Sequence, residues 1–167
     1  MLGMLLSLPV LGVLAMLQVA LISRAPLLQG SADLVLIALI AWTLHERVRS
    51  AWAWGLVGGL LVGYLSAMPI WTYPAAYLAA VGFARLVRRR VWKSPILAMF
   101  LAVFTGTLIQ HVISLAAVSF SGTFLPVLQV INQITVPSLL LNMLAAIPVD
   151  GLLHDLANWV YPEELVE

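Results

Sequence analysis

The chain has 167 residues, of which 63% are hydrophobic and 9% are charged, and its mean hydropathy is +1.07. A soluble domain of this length needs a polar surface that such a composition cannot supply, so the composition excludes that class and favours an integral membrane protein. Cysteine is absent, which excludes disulfides, thiolate metal sites and a cysteine nucleophile.

Apolar runs and their breaks predict one polytopic, all-α membrane domain over residues 1–167. A helix needs about 20 apolar residues to cross the hydrocarbon core of a bilayer. We predict six transmembrane helices, at about residues 2–22, 33–44, 51–67, 70–86, 96–120 and 128–153. The first run lacks a basic start and a small-residue cleavage site, so we interpret it as a retained span that Pro9 bends.

The second run is short and has two possible starts. If Ser31 caps the helix, Asp33 falls in its first turn, where a carboxylate suits the positive end of the helix dipole. If the span begins nearer Leu27, Asp33 enters the membrane. The sequence leaves both possibilities open.

The last run contains polar residues and prolines that predict a kinked helix or two helical pieces. The breaks are Asn132, Gln133, Pro137 and Pro148. An acidic tail follows, ending at Glu167.

Basic residues orient the chain. Seven of the eight lie in two stretches: Arg47, Arg49, Arg85, Arg88, Arg89, Arg90 and Lys93. Short loops rich in Lys and Arg stay in the cytoplasm, so we expect both stretches and both termini to be cytoplasmic. The second stretch either only determines the topology or also contacts anionic lipids or an acidic partner.

Gly55, Gly59 and Gly63 recur every four residues in the third span and predict a groove on one helix face. Small residues let helix backbones approach closely in lipid. The groove packs either against another helix of this chain or against the helix of a partner.

Several polar residues lie inside the predicted spans: Gln18, Asp33, Gln110, His111, Asn132 and Asn142. An amide or imidazole without a partner is costly in hydrocarbon, so we expect these groups to face the bundle interior. They either bond to one another across helices or line a small polar cavity for a ligand. We favour internal bonding and no small-molecule transport.

No catalytic set is visible in the sequence, so we expect a protein that is not an enzyme and that has no cofactor, no metal site and no nucleic-acid partner. Asp33 and Asp150 fall at opposite faces of the membrane, too far apart for acid–base work. His45 and His154 lie at membrane edges and are interpreted as too scattered to form a site. Trp42, like most of the tryptophans, is expected in an interfacial belt.

The order of these features resembles the rod shape-determining protein MreD family of bacteria, over nearly the whole chain. The matching features are Leu17-Gln18 in a span that ends near Pro26, Asp33-Leu34 opening a short second span, the glycine-spaced third span, the basic run, and Pro137-Ser138-Leu139-Leu140-Leu141-Asn142. Ala32 and Gly63 depart from the Pro and the acidic residue usual in the family, so no role is carried over to those positions.

The resemblance implies a non-enzymatic scaffold in the bacterial cytoplasmic membrane that supports rod shape and lateral peptidoglycan synthesis. Its implied partners are MreC and, with it, MreB, RodA and a class B penicillin-binding protein. The resemblance also implies a fold like that of the substrate-binding S subunits of energy-coupling-factor vitamin transporters. An S subunit is therefore the alternative function, and a small lipid-acting membrane enzyme is a third class that the missing acid–base pair disfavours.

Overall fold

Six helical rods make up most of the described part of the chain, residues 2–22, 30–90 and 94–161 of a computed structural model. The helices are α1 (Leu2–Leu5), α2 (Ser7–Ile22), α3 (Leu34–Leu44), α4 (Ala51–Leu65), α5 (Thr72–Arg90), α6 (Pro95–Phe120), α7 (Val127–Val130) and, after the π-helical turn Ile131–Thr135, α8 (Val136–Val160). No strand occurs in these residues, so the predicted all-α class is confirmed for them. Three predicted features extend outside the described residues: the tryptophan belt at Trp92, the basic loop at Lys93 and the acidic tail at residues 162–167.

Three rods are long and apolar enough to cross a membrane: Gly3–Ala20, Pro95–Phe120 and Val127–Val160. Leu34–Leu44 and Ala51–Leu65 are shorter apolar helices. The remaining rod, α5, carries Arg88, Arg89 and Arg90 in its last turn and is not among these apolar helices. The described helices are therefore compatible with a membrane protein, and the six crossings stay a prediction.

The first rod breaks one turn before Pro9. The helix α1 ends at Leu5, and α2 begins at Ser7. Proline has no N–H to donate to the carbonyl of the residue four positions earlier, which here is Leu5. The Ser7 hydroxyl donates instead to the Met4 carbonyl at 2.6 Å. The rod is thus interrupted at one residue, Leu6, three positions before the proline predicted to bend it.

The central helix is α3, which is buried from Val35 to Thr43. It packs against α2, α4, α5, α6 and α8, as a helix that is apolar all round must do. Its 11 residues are about 16 Å long, roughly half of a 30 Å hydrocarbon core. Asp33 itself caps the helix, accepting from the Leu36 N–H at 2.9 Å, which differs from both of the starts that the sequence left open.

The glycine face of α4 is occupied from within the chain. A Cβ built on Gly59 would lie 2.5 Å from the Pro74 Cα, and one on Gly63 would lie 2.9 Å from the Ile70 carbonyl oxygen. A Cβ on Gly55 would meet Val81 at 3.2 Å. The start of α5 and the loop before it therefore fill the groove, leaving no room there for a partner helix.

The last rod is continuous over 34 residues, from Val127 to Val160. Of the two predicted alternatives, a single helix is present rather than two separate pieces, and it continues past residue 153, the predicted end of the span. A π-helical turn over Ile131–Thr135 precedes Pro137, and such wider turns accommodate a proline's missing N–H. Pro148 stands inside α8 without ending it.

The two basic stretches meet at one end of the bundle. The Arg88 guanidinium donates to the carbonyls of Thr43 at 3.0 Å, His45 at 3.0 Å and Val48 at 3.4 Å. The end of α5 is thereby held against the loop between α3 and α4. We name this the basic end of the bundle.

Two tryptophans expected at or near the interface lie in the core instead. Trp42 and Trp54 are fully buried and stack with ring centroids 4.2 Å apart. The Trp54 indole donates to the Gly3 carbonyl at 2.6 Å, and the Trp42 indole donates to the Ser50 hydroxyl at 3.3 Å. The belt prediction is therefore wrong for Trp42, because α3 is enclosed by other helices rather than by lipid head groups.

Candidate functional site

A polar cavity of about 160 Å³ lies where five rods meet, at the start of α3. We name it the Asp33 cavity. Its lining residues are Gln18, Ser31, Asp33, Met68, Tyr73, Gln110, His111, Ser114, Ile134, Ser138 and Asn142. The α2, α5, α6 and α8 helices and the residues before α3 each contribute polar groups. Because α3 is about 16 Å long, the cavity at its start is separated from the basic end by that distance.

Asp33 is the only carboxylate among the described residues that line this cavity, and it is 7% exposed. Its Oδ1 accepts from the Leu36 N–H at 2.9 Å and from the Tyr77 hydroxyl at 2.8 Å. Its Oδ2 lies 2.7 Å from the same Tyr77 hydroxyl. A tyrosine has one hydroxyl proton and a carboxylate has about four acceptor sites, so acceptor capacity is left over.

Asn142 connects Asp33 to two other helices. Its Oδ1 accepts from the Asp33 N–H at 2.7 Å, and its Nδ2 donates to the Thr107 hydroxyl at 2.9 Å. Asn142 is only 1% exposed. One amide therefore ties α8 to α6 and to the chain before α3. This agrees with internal bonding as the role of that residue.

Neighbouring backbone groups are held in the same way. The Ser31 N–H donates to the Ser138 hydroxyl at 3.0 Å, and the Val35 N–H lies 3.4 Å from the Gln18 Oε1. A Cβ on Gly30 would lie 2.6 Å from the Pro137 Cβ. The residues just before α3 thus follow the surface of α8 closely.

Gln110 and His111 behave differently from Asn142. The Gln110 Nε2 donates to Ser114 on its own helix at 3.3 Å, and its Oε1 has no hydrogen-bond partner among the described residues. His111 lines the cavity and likewise has no hydrogen bond within the described residues. For these two side chains, bonding to other helices is wrong, and they face the cavity instead.

Asn132 and Gln133 lie away from this site. Both are exposed on the π-helical turn, and Gln133 accepts from Gln129 at 3.0 Å. The expectation that Asn132 faces the bundle interior is wrong, because the first turns of the last rod make their main contacts within that rod.

Sequence reasoning missed Tyr77, Thr107 and Ser138. Tyr73 and Tyr77 stand four residues apart on α5, so one helix face carries both rings, which contact edge to face at 5.7 Å. Polar residues at this helical spacing in an apolar segment were an available signal. Thr107 and Ser138 gave no such signal. Ser and Thr hydroxyls often bond to nearby backbone groups, so the sequence alone does not tell whether such a residue lines a site or is simply hydrogen-bonded in the core.

A second cavity, of about 380 Å³, lies at the basic end. We name it the His45 pocket, and its lining residues are Ala41, Leu44, His45, Glu46, Arg47, Pro95, Asp150, His154 and Asn158. His45 and His154 have ring centroids 5.3 Å apart, so the interpretation of these histidines as scattered is wrong. The His45 Nε2 lies 3.2 Å from the Asn158 Oδ1, whereas its buried Nδ1 has no partner in the described part of the chain. Burial lowers the pKa of His45.

The two carboxylates proposed from sequence occupy separate cavities. Asp33 lies at the start of α3 and Asp150 lines the His45 pocket beyond its end, so they form no acid–base pair. Within residues 2–22, 30–90 and 94–161, no group of three or more His, Cys, Asp and Glu residues is placed to hold a metal ion. The chemistry that the Asp33 cavity offers is hydrogen bonding around one carboxylate.

Comparisons of the chain with protein-family models, with curated proteins and with solved structures found no match.

Proposed function

We propose that this chain is a non-enzymatic scaffold subunit of the bacterial cell-elongation machinery. In this proposal it acts in the cytoplasmic membrane with MreC and with the complex that contains MreB, RodA and a class B penicillin-binding protein. The six rods are six crossings with both termini in the cytoplasm, in an arrangement like that of the vitamin-transporter S subunits. Support comes from the resemblance to MreD and from one structural feature, described next.

That feature is the exposed start of the last rod and the loop before it. Every residue from 121 to 129 is exposed, with Phe124 at 87% and Leu128 at 72%. Val127 lies about 40 Å along the helix from His154 at the basic end, which exceeds a 30 Å hydrocarbon core. Lipid tails therefore do not cover this segment fully unless the rod tilts steeply. We name residues 121–134 the outer segment and propose that it contacts a partner protein.

The proposal predicts the topology of the two ends. We expect Arg49→Cys to be silent to an impermeant maleimide in intact cells and to label only after permeabilisation. Thr123→Cys on the outer segment should label in intact cells. Both positions are exposed, and the chain has no native cysteine to interfere. Labelling of Arg49→Cys from outside would overturn the orientation.

The proposal also predicts that MreC co-purifies with the protein from mild detergent. Truncating the outer segment with Phe124→Ala and Leu128→Ala should lower MreC recovery at least tenfold, because a few apolar anchors carry most of an interface's binding energy. The matched control is Leu140→Ala with Leu144→Ala, on the same rod and equally outward-facing. Mass spectrometry of the eluates measures the recovery.

Three outcomes contradict parts of this proposal. Equal recovery from both double variants removes the outer segment as the contact surface. Absence of MreC from the wild-type eluate removes MreC as the partner. Normal rods after disruption of the protein in a rod-shaped host remove the cell-elongation role.

The alternative function is that of a transporter S subunit, and the Asp33 cavity is the observation in its favour. The Gln110 amide oxygen and the His111 ring, which have no hydrogen-bond partner among the described residues, share the lining with a carboxylate, as a solute site requires. Loss of uptake of a vitamin-like solute in a disrupted strain that keeps normal rods would favour this function over the scaffold.

A further inference from the structure

We infer that the Asp33 cavity is a binding site for a small organic ammonium compound, with the Asp33 carboxylate as its counter-ion. The inference goes beyond the scaffold proposal, since it concerns what the chain itself binds and holds whether or not MreC is a partner.

The first step is the charge of the lining. Among the described residues that line it, Asp33 is the single carboxylate and none is Lys or Arg. The other titratable groups that face the cavity are His111 and Tyr73, and Tyr77 contacts the carboxylate from α5. No ion pair to Asp33 occurs among the described residues, and the basic side chains of α5 lie at the other end of the bundle. A cation stabilises a carboxylate in a bundle surrounded by lipid, and none of the described residues supplies one to Asp33.

The second step is a further acceptor that does not depend on Asp33. Gln110 is 9% exposed, so it is more than nine-tenths buried, and its Oε1 faces the cavity without a partner in the described residues. Its Nε2 is engaged by Ser114, which leaves the oxygen as the free end. An amide oxygen in such a lining is a hydrogen-bond acceptor that is available to a donor on a ligand.

These two oxygens select the ligand's functional group. An ammonium group carries both a positive charge and several N–H donors, and charge-assisted hydrogen bonds of this kind are the stronger ones. Its charge suits the Asp33 carboxylate, and its N–H donors suit both Asp33 and the Gln110 amide oxygen in the same lining. The same lining includes Tyr73, and aromatic rings attract cations.

The third step is size. The cavity has a volume of about 160 Å³, roughly ten times the space that one water molecule requires. A bare alkali-metal ion needs no more space than one water molecule. Met68 and Ile134 add apolar surface to the lining. The shape therefore fits an ammonium group that carries a short carbon chain, rather than an isolated metal ion.

Thermal unfolding of the full-length protein in nanodiscs, followed by tryptophan fluorescence, tests the inference. The buffer is potassium phosphate, because Tris is itself a primary amine. The probes are ethylammonium chloride, tetramethylammonium chloride and sodium chloride, each against potassium chloride at equal ionic strength. We expect a saturable rise in the unfolding temperature with ethylammonium alone, since a ligand that binds only the folded state stabilises it. Tetramethylammonium has the charge but no N–H donor.

Asp33→Asn should weaken the apparent affinity for ethylammonium at least tenfold, and Gln110→Leu should weaken it measurably while leaving the carboxylate in place. Gln133→Leu, on the exposed π-helical turn, is the matched control and should bind as wild type does. If Asp33→Asn does not fold, Gln110→Leu against Gln133→Leu decides. No saturable shift with ethylammonium, an equal shift in Gln110→Leu and wild type, or an equal shift with sodium would each overturn the inference. Loss of MreC from the eluate leaves it unaffected.

Discussion

Replacing Gly59 by leucine is expected to abolish folding or to lower the unfolding temperature of the protein sharply. The Cβ alone would lie 2.5 Å from the Pro74 Cα and 2.7 Å from its nitrogen, and these are backbone atoms that cannot move aside. Even Gly59→Ala should destabilise by about 1–3 kcal/mol, the usual cost of forcing extra atoms into a packed contact. Yield after detergent extraction and the thermal midpoint measure both changes.

The matched control is Gly12 on α2, where an added Cβ meets nothing within 4 Å. Gly12→Ala and Gly12→Leu should leave stability unchanged or slightly raised, because glycine is a poor helix former. Equal stability of Gly59→Leu and Gly12→Leu would show that α4 and α5 do not make the close contact described. A stable Gly59→Leu that no longer recovers a partner would place this face in an interface instead.

The periodic features of the sequence predicted helices well. The runs at residues 51–67 and 96–120 correspond to α4 and α6 within a few residues, because length, hydropathy and flanking prolines are local properties. The four-residue spacing of the glycines in α4 predicted a close helix contact for the same reason. It did not tell which helix fills the groove, because Pro74 becomes a neighbour of Gly59 only after α4 and α5 pair.

Features that depend on tertiary neighbours were missed. Ser31 and Asp33 are both acceptable caps by residue type. Asp33 takes that role in the structure. The Ser31 N–H donates to Ser138 and the Asp33 N–H donates to Asn142, and each acceptor is more than 100 residues away in sequence. His45 and His154 are as distant in sequence and still contact each other. Trp42 resembles an interfacial residue until the burial of α3 is known.

The candidate site was predictable in part. Gln18, Asp33, Gln110, His111 and Asn142 were selected as intramembrane polar residues, and all five line the Asp33 cavity. A polar residue within an apolar run can be selected from the sequence alone. Whether each group is satisfied or free depends on the rotation of its helix, and for this reason Gln110 and Asn142 have opposite roles.

Asn142→Leu is expected to be the most damaging of the polar-to-apolar changes in this set. It leaves the Asp33 N–H and the Thr107 hydroxyl without the partners at 2.7 and 2.9 Å that they now have. An unsatisfied buried group costs about 1–3 kcal/mol, so we expect a loss of roughly 2–4 kcal/mol in the free energy of unfolding. This exceeds the modest change that a single interhelical hydrogen bond in lipid would give.

Asn132→Leu supplies the control, since Asn132 is exposed and outside the cavity; that change should shift stability by less than about 0.5 kcal/mol. A double-mutant cycle with Thr107→Val isolates the bond between α8 and α6. The two changes should be less than additive, because Thr107→Val removes a hydroxyl that Asn142→Leu has already left without its amide donor. Additive losses, or equal effects of Asn142→Leu and Asn132→Leu, would mean that Asn142 does not hold the start of α3 in place, and the Asp33 cavity would lose the residue that positions its carboxylate.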